Sequence, residues 1–309
     1  MTMPVSTPTV DELPLIIETI AGWQADGMPI QLHPGDLGWA WQSGAPSQAD
    51  RVRVWRRDGR MLAVGLLDGP TLLRLALAPE ADDDEGLAED IVADLSTPTA
   101  GVLPHGPASV EARFGSALRS RLDAAGWISD EAWTPLSLDL TDPVAETALR
   151  VVTVTPDLAE ERAAVQRASF DGSTFSIERW NEMVAGPAYR DARCLIGYDD
   201  RGDAVALTTV WSAGSGRPGL IEPLGVHRDH RGHGHGRAIT LAAAEALRDL
   251  GSSSALVCTP SDNVGAVATY TSAAFTPHPE VTDFRRPEVE LSCGRRSSTL
   301  MCPCSRMTP

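Results

Sequence analysis

The chain contains no lysine: all 26 of its basic side chains are arginines. With no side-chain primary amine, Schiff-base catalysis and the lysine of a Walker-type phosphate loop are both excluded. Cysteine is sparse as well. The five are scattered: Cys194 and Cys258 sit inside apolar runs and Cys293, Cys302 and Cys304 in an irregular terminal stretch. That pattern does not make a disulfide framework, and reduced thiols are expected. The Cys302-Pro-Cys304 pair lacks the further nearby ligands a metal needs, so no metal is expected. Long apolar runs are missing too, since none approaches the roughly 18 residues needed to span a bilayer. The one apolar stretch near the start, Leu13 to Ile20, is broken by Pro14 and Glu18 and has no basic region before it or cleavage site after it. The expectation is a soluble, cytoplasmic protein without a membrane partner. Net positive charge is also absent. A formal charge of -16 disfavours nucleic acid, whose phosphates demand clustered cations, and suits a cationic or neutral small substrate.

What is present is a sequence of 309 residues, 42% apolar, enough for two globular domains with real cores. Val52–Trp55, the turn Arg57-Asp58-Gly59-Arg60 and Met61–Leu67 read as a β-hairpin. About 143 residues on, Cys194–Tyr198, the turn Asp199 to Asp203 and Ala204–Trp211 repeat the device. Each hairpin is followed by an apolar strand, Leu72–Leu77 and Leu220–Val226, and then by a helical stretch. Each half closes on a similar pattern, Leu122-Asp-Ala-Ala-Gly-Trp127 and Tyr270-Thr-Ser-Ala-Ala-Phe275. A single repeat of this length means two copies of one domain rather than a solenoid. The join is placed near Thr141-Asp142-Pro143, between a strand Leu136–Leu140 and a strand Val151–Val154. The best-defined helix carries Ile239, Ala243, Ala246, Leu247 and Leu250 on one face, with Gly251 as its C-terminal stop. The fold class expected is α+β or mixed α/β, with a mixed central sheet flanked by helices in each half.

The chemistry concentrates in Gly225-Val-His-Arg-Asp-His-Arg-Gly-His-Gly-His-Gly236, which leads from a strand into that helix. Bare backbone N–H groups of a glycine-rich turn, together with the positive end of a helix dipole, make an anion site suited to a diphosphate. Arg228, Arg231 and Arg237 add charge. The spacing fails the dinucleotide fingerprint, because Arg237 or Ile239 stands where its third glycine should be. His227, His230, His233 and His235 are expected as solvated loop residues rather than metal ligands.

Arg231-x-x-Gly234-x-Gly236 after a strand ending at Val226 resembles the coenzyme A pyrophosphate loop of the GNAT acetyltransferase superfamily. Asn263-x-x-Ala266-x-x-x-Tyr270 followed by Phe275 resembles the same family's later strand-to-helix motif, with Ala274 where the family has a glycine. The resemblance covers about Val152 to Pro287. It implies that Leu224, Gly225 and Val226 pair with the pantetheine arm and that Arg231, Gly232, His233, Gly234, His235, Gly236 and Arg237 hold the pyrophosphate. Asn263 and Ala266 would lie on the pantetheine side, and Tyr270 would protonate or hydrogen-bond the departing thiolate. Acetyl-CoA would be the acyl donor, and the acyl group would pass directly to an amine. Glu222, on the strand with Leu224 and Val226, is the candidate base.

The first half lacks these motifs. After Leu77 comes the acidic run Ala78 to Gly86, which would repel a diphosphate, and Leu122 stands where Tyr270 does. The division expected is a degenerate GNAT-like domain over 1–145, a catalytic one over 146–291 and a disordered, dispensable tail over 292–309. Trp39, Trp41, His33 and the acidic run are candidates for the wall of an acceptor pocket, and the loops Phe170–Trp180 and Gly214–Gly219 for its specificity. The function expected is N-acylation of a primary amine on a small metabolite. A thiol-sugar pathway of the mycothiol synthase kind is a narrower version of it. The alternatives are a non-catalytic acyl-CoA-binding or sensing module and a protein N-acetyltransferase.

Overall fold

The computed structural model describes residues 5–287; the expected tail and Cys293, Cys302 and Cys304 lie outside them. The strands are β1 (Val52–Arg57), β2 (Arg60–Leu67), β3 (Leu72–Leu77), β4 (Ala108–Glu111), β5 (Ile128–Asp139), β6 (Arg150–Thr153), β7 (Ala192–Tyr198), β8 (Ala204–Trp211), β9 (Gly219–Val226), β10 (Ser254–Pro260), β11 (Thr276–Pro277) and β12 (Val281–Arg286). The helices are α1 (Leu13–Trp23), α2 (Pro34–Ala40), α3 (Ala45–Arg51), α4 (Glu85–Ser96), α5 (Ser116–Ala124), α6 (Ala159–Ser169), α7 (Ile177–Ala185), α8 (His235–Asp249) and α9 (Val264–Ser272).

Local chemistry explains the hairpins. Asp58 (φ 51°) and Gly59 (φ 78°) both take positive φ, the two-residue turn whose twist matches paired strands. In the second hairpin Asp199 bends the chain with its own carboxylate, which accepts from the N–H of Arg201 at 2.9 Å and of Asp203 at 3.0 Å. After each hairpin the halves keep the same plan. β3 and β4 run parallel with α4 between them, as β9 and β10 do with α8 between them.

The helix ends repeat to the atom. Trp127 N–H bonds Leu122 O (3.0 Å), as Ser252 N–H bonds Leu247 O (3.0 Å) and Phe275 N–H bonds Tyr270 O (3.1 Å). This is the six-to-one bond of a Schellman stop, which needs a left-handed residue just before its donor. Gly126 (φ 84°) and Gly251 (φ 82°) supply it in two cases, and Ala274 (φ 70°) in the third. Leu122 therefore stands structurally where Tyr270 does. A Cβ in this conformation costs about 1–2 kcal/mol, partly offset by the roughly 0.5–1 kcal/mol that glycine loses in chain entropy. Ala274→Gly is expected to stabilise the protein by roughly 0.5–1 kcal/mol in urea unfolding, and an equal or lower stability would contradict the assignment.

The halves are joined by exchange. The sheet is continuous, in the order β1-β2-β3-β4-β12-β5-β10-β9-β8-β7-β6, with β11 also on β5. β12, from the end of the chain, lies between β4 and β5. The far part of β5, Trp133 to Asp139, pairs antiparallel with β10 of the other half. The position expected for a domain join, near residue 145, falls between β5 and β6. An apolar core runs under both halves, from Leu13, Ile16 and Ile20 of α1 to Trp211, Leu220 and Phe284. Among the described residues no helix is long and apolar enough to cross a membrane.

Candidate active site

β9 is where the sheet opens. Its parallel pairing with β10 is confined to Gly219 and Leu220 opposite Ala255 and Leu256, while β10 continues along β5 to Pro260. Past Leu220 the two parallel strands diverge. On its other side β9 slips register against β8 between Thr208 and Val210, so Glu222 and Pro223 bulge at the mouth of the opening. The Trp211 indole donates to the Glu222 backbone carbonyl at 2.7 Å. That indole rests on α2, where a Cβ on Gly35 or Gly38 would come within 2.6 Å or 2.3 Å of it. Only glycine at these two positions lets the helix seat the ring.

Beneath the opening lies a cleft of about 700 Å³, lined by Leu224, Gly225, Val226, Arg231, Gly232, Gly234, His235, Gly236 and Arg237, and from α9 by Asn263, Ala266 and Tyr270. Of the residues expected to hold coenzyme A only His233 is not part of the lining. Gly265, Ala268, Thr269 and Ser272 join it, a face of α9 the sequence reading did not single out. Gly232 and Gly234 take positive φ (81° and 83°). Gly236 has no room for a side chain, because a Cβ there would meet Thr269 at 2.9 Å.

Two helix N-termini show why one half carries the cleft. The cap of α8 is Gly234, with no side chain to fill it, so the first-turn N–H groups remain for an outside anion. In the first half the cap of α4 is Asp84, whose carboxylate accepts from Leu87 N–H at 2.9 Å and pairs with Arg57. The protein's own anion occupies that site. The acidic run is thus a helix cap and surface ion pairs, not a pocket wall.

The loop arginines are tied to the protein's own carbonyls. Arg231 donates to the carbonyl of Ser169 (2.8 Å), Arg228 to those of Ala168 (2.8 Å) and Arg167 (3.1 Å), and Arg237 to that of Ser272 (2.8 Å). They cap the C-termini of α6 and α9 and anchor the loop. Asn263 caps α9 through Ala266 N–H at 3.2 Å. The histidines pair with one another, His227 with His230 and His233 with His235.

A second cavity, about 670 Å³, lies across the divergent strands between the halves. Tyr270 and Leu224 line both spaces. Glu222 faces this cavity with seven carboxyl groups and three guanidiniums in all around it. Arg74 lies 2.9 Å from Asp36 and from Glu111 and 3.8 Å from Glu222. Arg113 grips Asp283 of β12 with two bonds, 2.9 and 3.1 Å, and reaches Glu111 at 3.3 Å. The first half therefore does wall the cavity, but with these residues. His33 is buried as the cap of α2, bonding Gly35 N–H at 3.0 Å, while Trp39 stacks on Phe175 and Trp41 lies in the core. Of the loops expected to set specificity, Phe170 lines the cavity and the 214–219 segment does not.

Burial drives the titration behaviour. It pushes Glu222 up to about 8, with Asp36 and Glu111 raising it further and Arg74 opposing. Tyr270 is held well above the ordinary phenol value by burial and by Glu222, so it stays protonated. The Cys258 thiol, in the cavity lining, is pushed by burial up to about 11. A thiol so protonated is a poor nucleophile at neutral pH.

Residues 158–275 match the model of the Acetyltransferase (GNAT) family, so the chain carries a GNAT domain in its C-terminal half. That family uses acetyl-CoA as its acyl donor. No curated protein matches the chain in sequence. Solved structures share the fold over almost the whole length. A GCN5-related N-acetyltransferase from Sphaerobacter thermophilus is 20% identical with a TM-score of 0.55, covering 93% of this chain and 97% of that one. A tandem GNAT protein from the clavulanic acid biosynthesis pathway is 18% identical with a TM-score of 0.60, covering 91% and 97%. A GNAT-family acetyltransferase from Colwellia psychrerythraea is 14% identical with a TM-score of 0.57, covering 91% and 98%. The chain thus has a mixed α/β fold similar in architecture to that of a tandem GNAT protein, and its match to the GNAT family model lies in residues 158–275.

Proposed function

We propose that the protein is an acyl-CoA-dependent N-acyltransferase, acetyl by default, that acts on a primary amine of a small metabolite in a ternary complex. The observation that carries this is the meeting of the two cavities at Tyr270 and Leu224. A thioester held with its diphosphate at the N-terminus of α8 would bring its carbonyl to the opening of the strands, and an amine in the acidic cavity would meet it there. Glu222, once ionised, takes a proton from the incoming ammonium. The amine nitrogen then attacks the thioester carbon, the C–S bond breaks, and the sulfur takes the Tyr270 proton. The excess proton on the new amide nitrogen leaves to solvent, and the phenolate is reprotonated from the same source. The protonated Cys258 gives no support to a covalent acyl-enzyme. A sensing module has no use for a cavity on the acceptor side. A space of this volume is of small-molecule size, which weighs against a protein acceptor.

The test follows free thiol from acetyl-CoA across a library of primary amines and then the pH profile of the best one. Since the carboxylate is the active form and Glu222 titrates near 8, kcat/KM should rise as pH increases through about 8. In Glu222→Gln the rise should move up to the amine's own pKa, with activity recovered only at high pH. An unmoved profile removes Glu222 as the base. Absence of thiol release with every amine removes the reaction.

A further inference from the structure

The acidic cavity is not uniform, and its charges divide into two groups. At the inner end the arginines are committed. Arg74 is shared by Asp36 and Glu111, and Arg113 by Glu111 and Asp283, all five carboxyl and guanidinium partners being buried or nearly so. Even here Asp36, 3% exposed, retains an oxygen that accepts no well-aligned hydrogen bond although Arg74 is 2.9 Å away. At the outer end the carboxylates exceed their partners. Asp68 has Arg51 at 3.4 Å and Arg74 only at 3.8 Å. Asp130 accepts from the Ser109 hydroxyl at 2.6 Å and has Arg285 at 3.8 Å. Glu131 has no ion-pair partner among the described residues and lines the cavity.

These outer groups form one rim. Asp68 precedes β3, Ser109 of β4 pairs with Leu72 of β3 and donates its N–H to Thr71 O at 2.8 Å, and Ser109 in turn holds Asp130. The rim belongs wholly to the first half, whereas Glu222 and Tyr270, where transfer would occur, belong to the second. Resting on the acyl-transfer reading above, we infer that the acceptor is an amine bearing at least two positive charges. One nitrogen is received at Glu222 and acylated, and a second, unreacting cation is held by Asp68, Asp130 and Glu131. The half without a coenzyme site is then the half that selects the acceptor. Acylation removes one charge from the product, which weakens its hold on the site and favours release.

The test uses the full chain and a charge series of probes: 1-aminobutane, 1,4-diaminobutane and spermidine. Thiol release from acetyl-CoA and calorimetric binding to the coenzyme A-loaded protein are measured together. Contacts with several partly exposed carboxylates predict kcat/KM and affinity for the diamine at least about tenfold above the monoamine, with spermidine no worse than the diamine. The ratio should shrink in high salt, because rim charges are screened. Asp68→Asn/Asp130→Asn/Glu131→Gln should lower the diamine's kcat/KM more than the monoamine's and bring the ratio toward one, with coenzyme A affinity reporting that the variant is folded. Should that variant fail to fold, Glu131→Gln alone, on an exposed and unpaired side chain, should lower the ratio part of the way. Equal values for monoamine and diamine, or no amine binding, overturn the inference. Acylation of every amine at one rate would do so while leaving acyl transfer intact. Preferential diamine binding without thiol release would sink acyl transfer and leave the dication site standing.

Discussion

Tyr270→Phe is expected to lower turnover by roughly 10- to 1000-fold, the range for losing an acid catalyst or one donor to a developing anion. Its coenzyme A affinity and melting temperature should stay near wild type. The ring packs 6.0 Å from Phe275, and phenylalanine preserves that contact. Among the described residues the hydroxyl has no hydrogen-bond partner, so its removal leaves no buried group unpaired. A tyrosine kept for stability would show the reverse, loss of melting temperature with turnover per folded molecule preserved. The phenol instead lines both cavities with its proton held in place by burial and by Glu222. An interaction that strengthens only as charge collects on sulfur acts on turnover rather than binding. Turnover per folded molecule, measured beside the melting curve, separates the two, and full activity would leave the acyl-CoA sensing module ahead.

Cutting the chain between residues 145 and 146 should abolish folding of either piece alone and restore it when the pieces are mixed. The expectation comes from the exchanged strands. A fragment ending at 145 lacks β12, so β4 and β5 face each other across an empty place and Arg113, 3% exposed, loses Asp283. Glu111 stays beside Arg113 at 3.3 Å, but the two bonds to Asp283 go, and breaking a buried ion pair costs up to about 3–5 kcal/mol against the roughly 5–15 kcal/mol by which a domain is stable. The complementary piece lacks β5, which covers β10 from Ser254 to Pro260, and exposes that strand as an unpaired edge. Near-ultraviolet circular dichroism of each fragment and of the mixture is the measurement. A first fragment that unfolds cooperatively by itself would show that the exchange is not essential.

The elements legible in the sequence were those with local causes. Both hairpins, the strands before each crossover and the helix from His235 follow from turn residues and apolar period. The Schellman stop at Gly251 falls where a glycine ends that period. The cleft residues lay within two short segments, Leu224–Arg237 and Asn263–Ser272, because a cleft at a helix N-terminus is built by neighbours in the chain. The second cavity was not legible, and in its wall Asp36, Arg74, Glu111, Arg113, Asp130 and Asp283 stand in place of the candidates Trp39, Trp41 and His33. One signal was available: Arg74 interrupts the apolar strand Leu72–Leu77, and a charge inside such a strand must find a buried partner. Its partners come from α2 and β4, at sequence distances no local pattern spans.

By itself, then, the sequence determined that one half has an open helix terminus behind a glycine-rich loop and the other a closed one, because Gly234 brings no side chain to its helix cap where Asp84 fills its own with a carboxylate. Tertiary structure alone decided that the halves share one sheet. Strand pairing through backbone groups is nearly blind to side-chain identity, so nothing in residues 281–286 announces β4 and β5 as their neighbours. It also decided what Glu222 is. A glutamate on a strand has an ordinary acidity until Asp36, Glu111 and a desolvated cavity wall, all brought from the other half, raise it into the range where a proton can be exchanged with an amine near neutral pH.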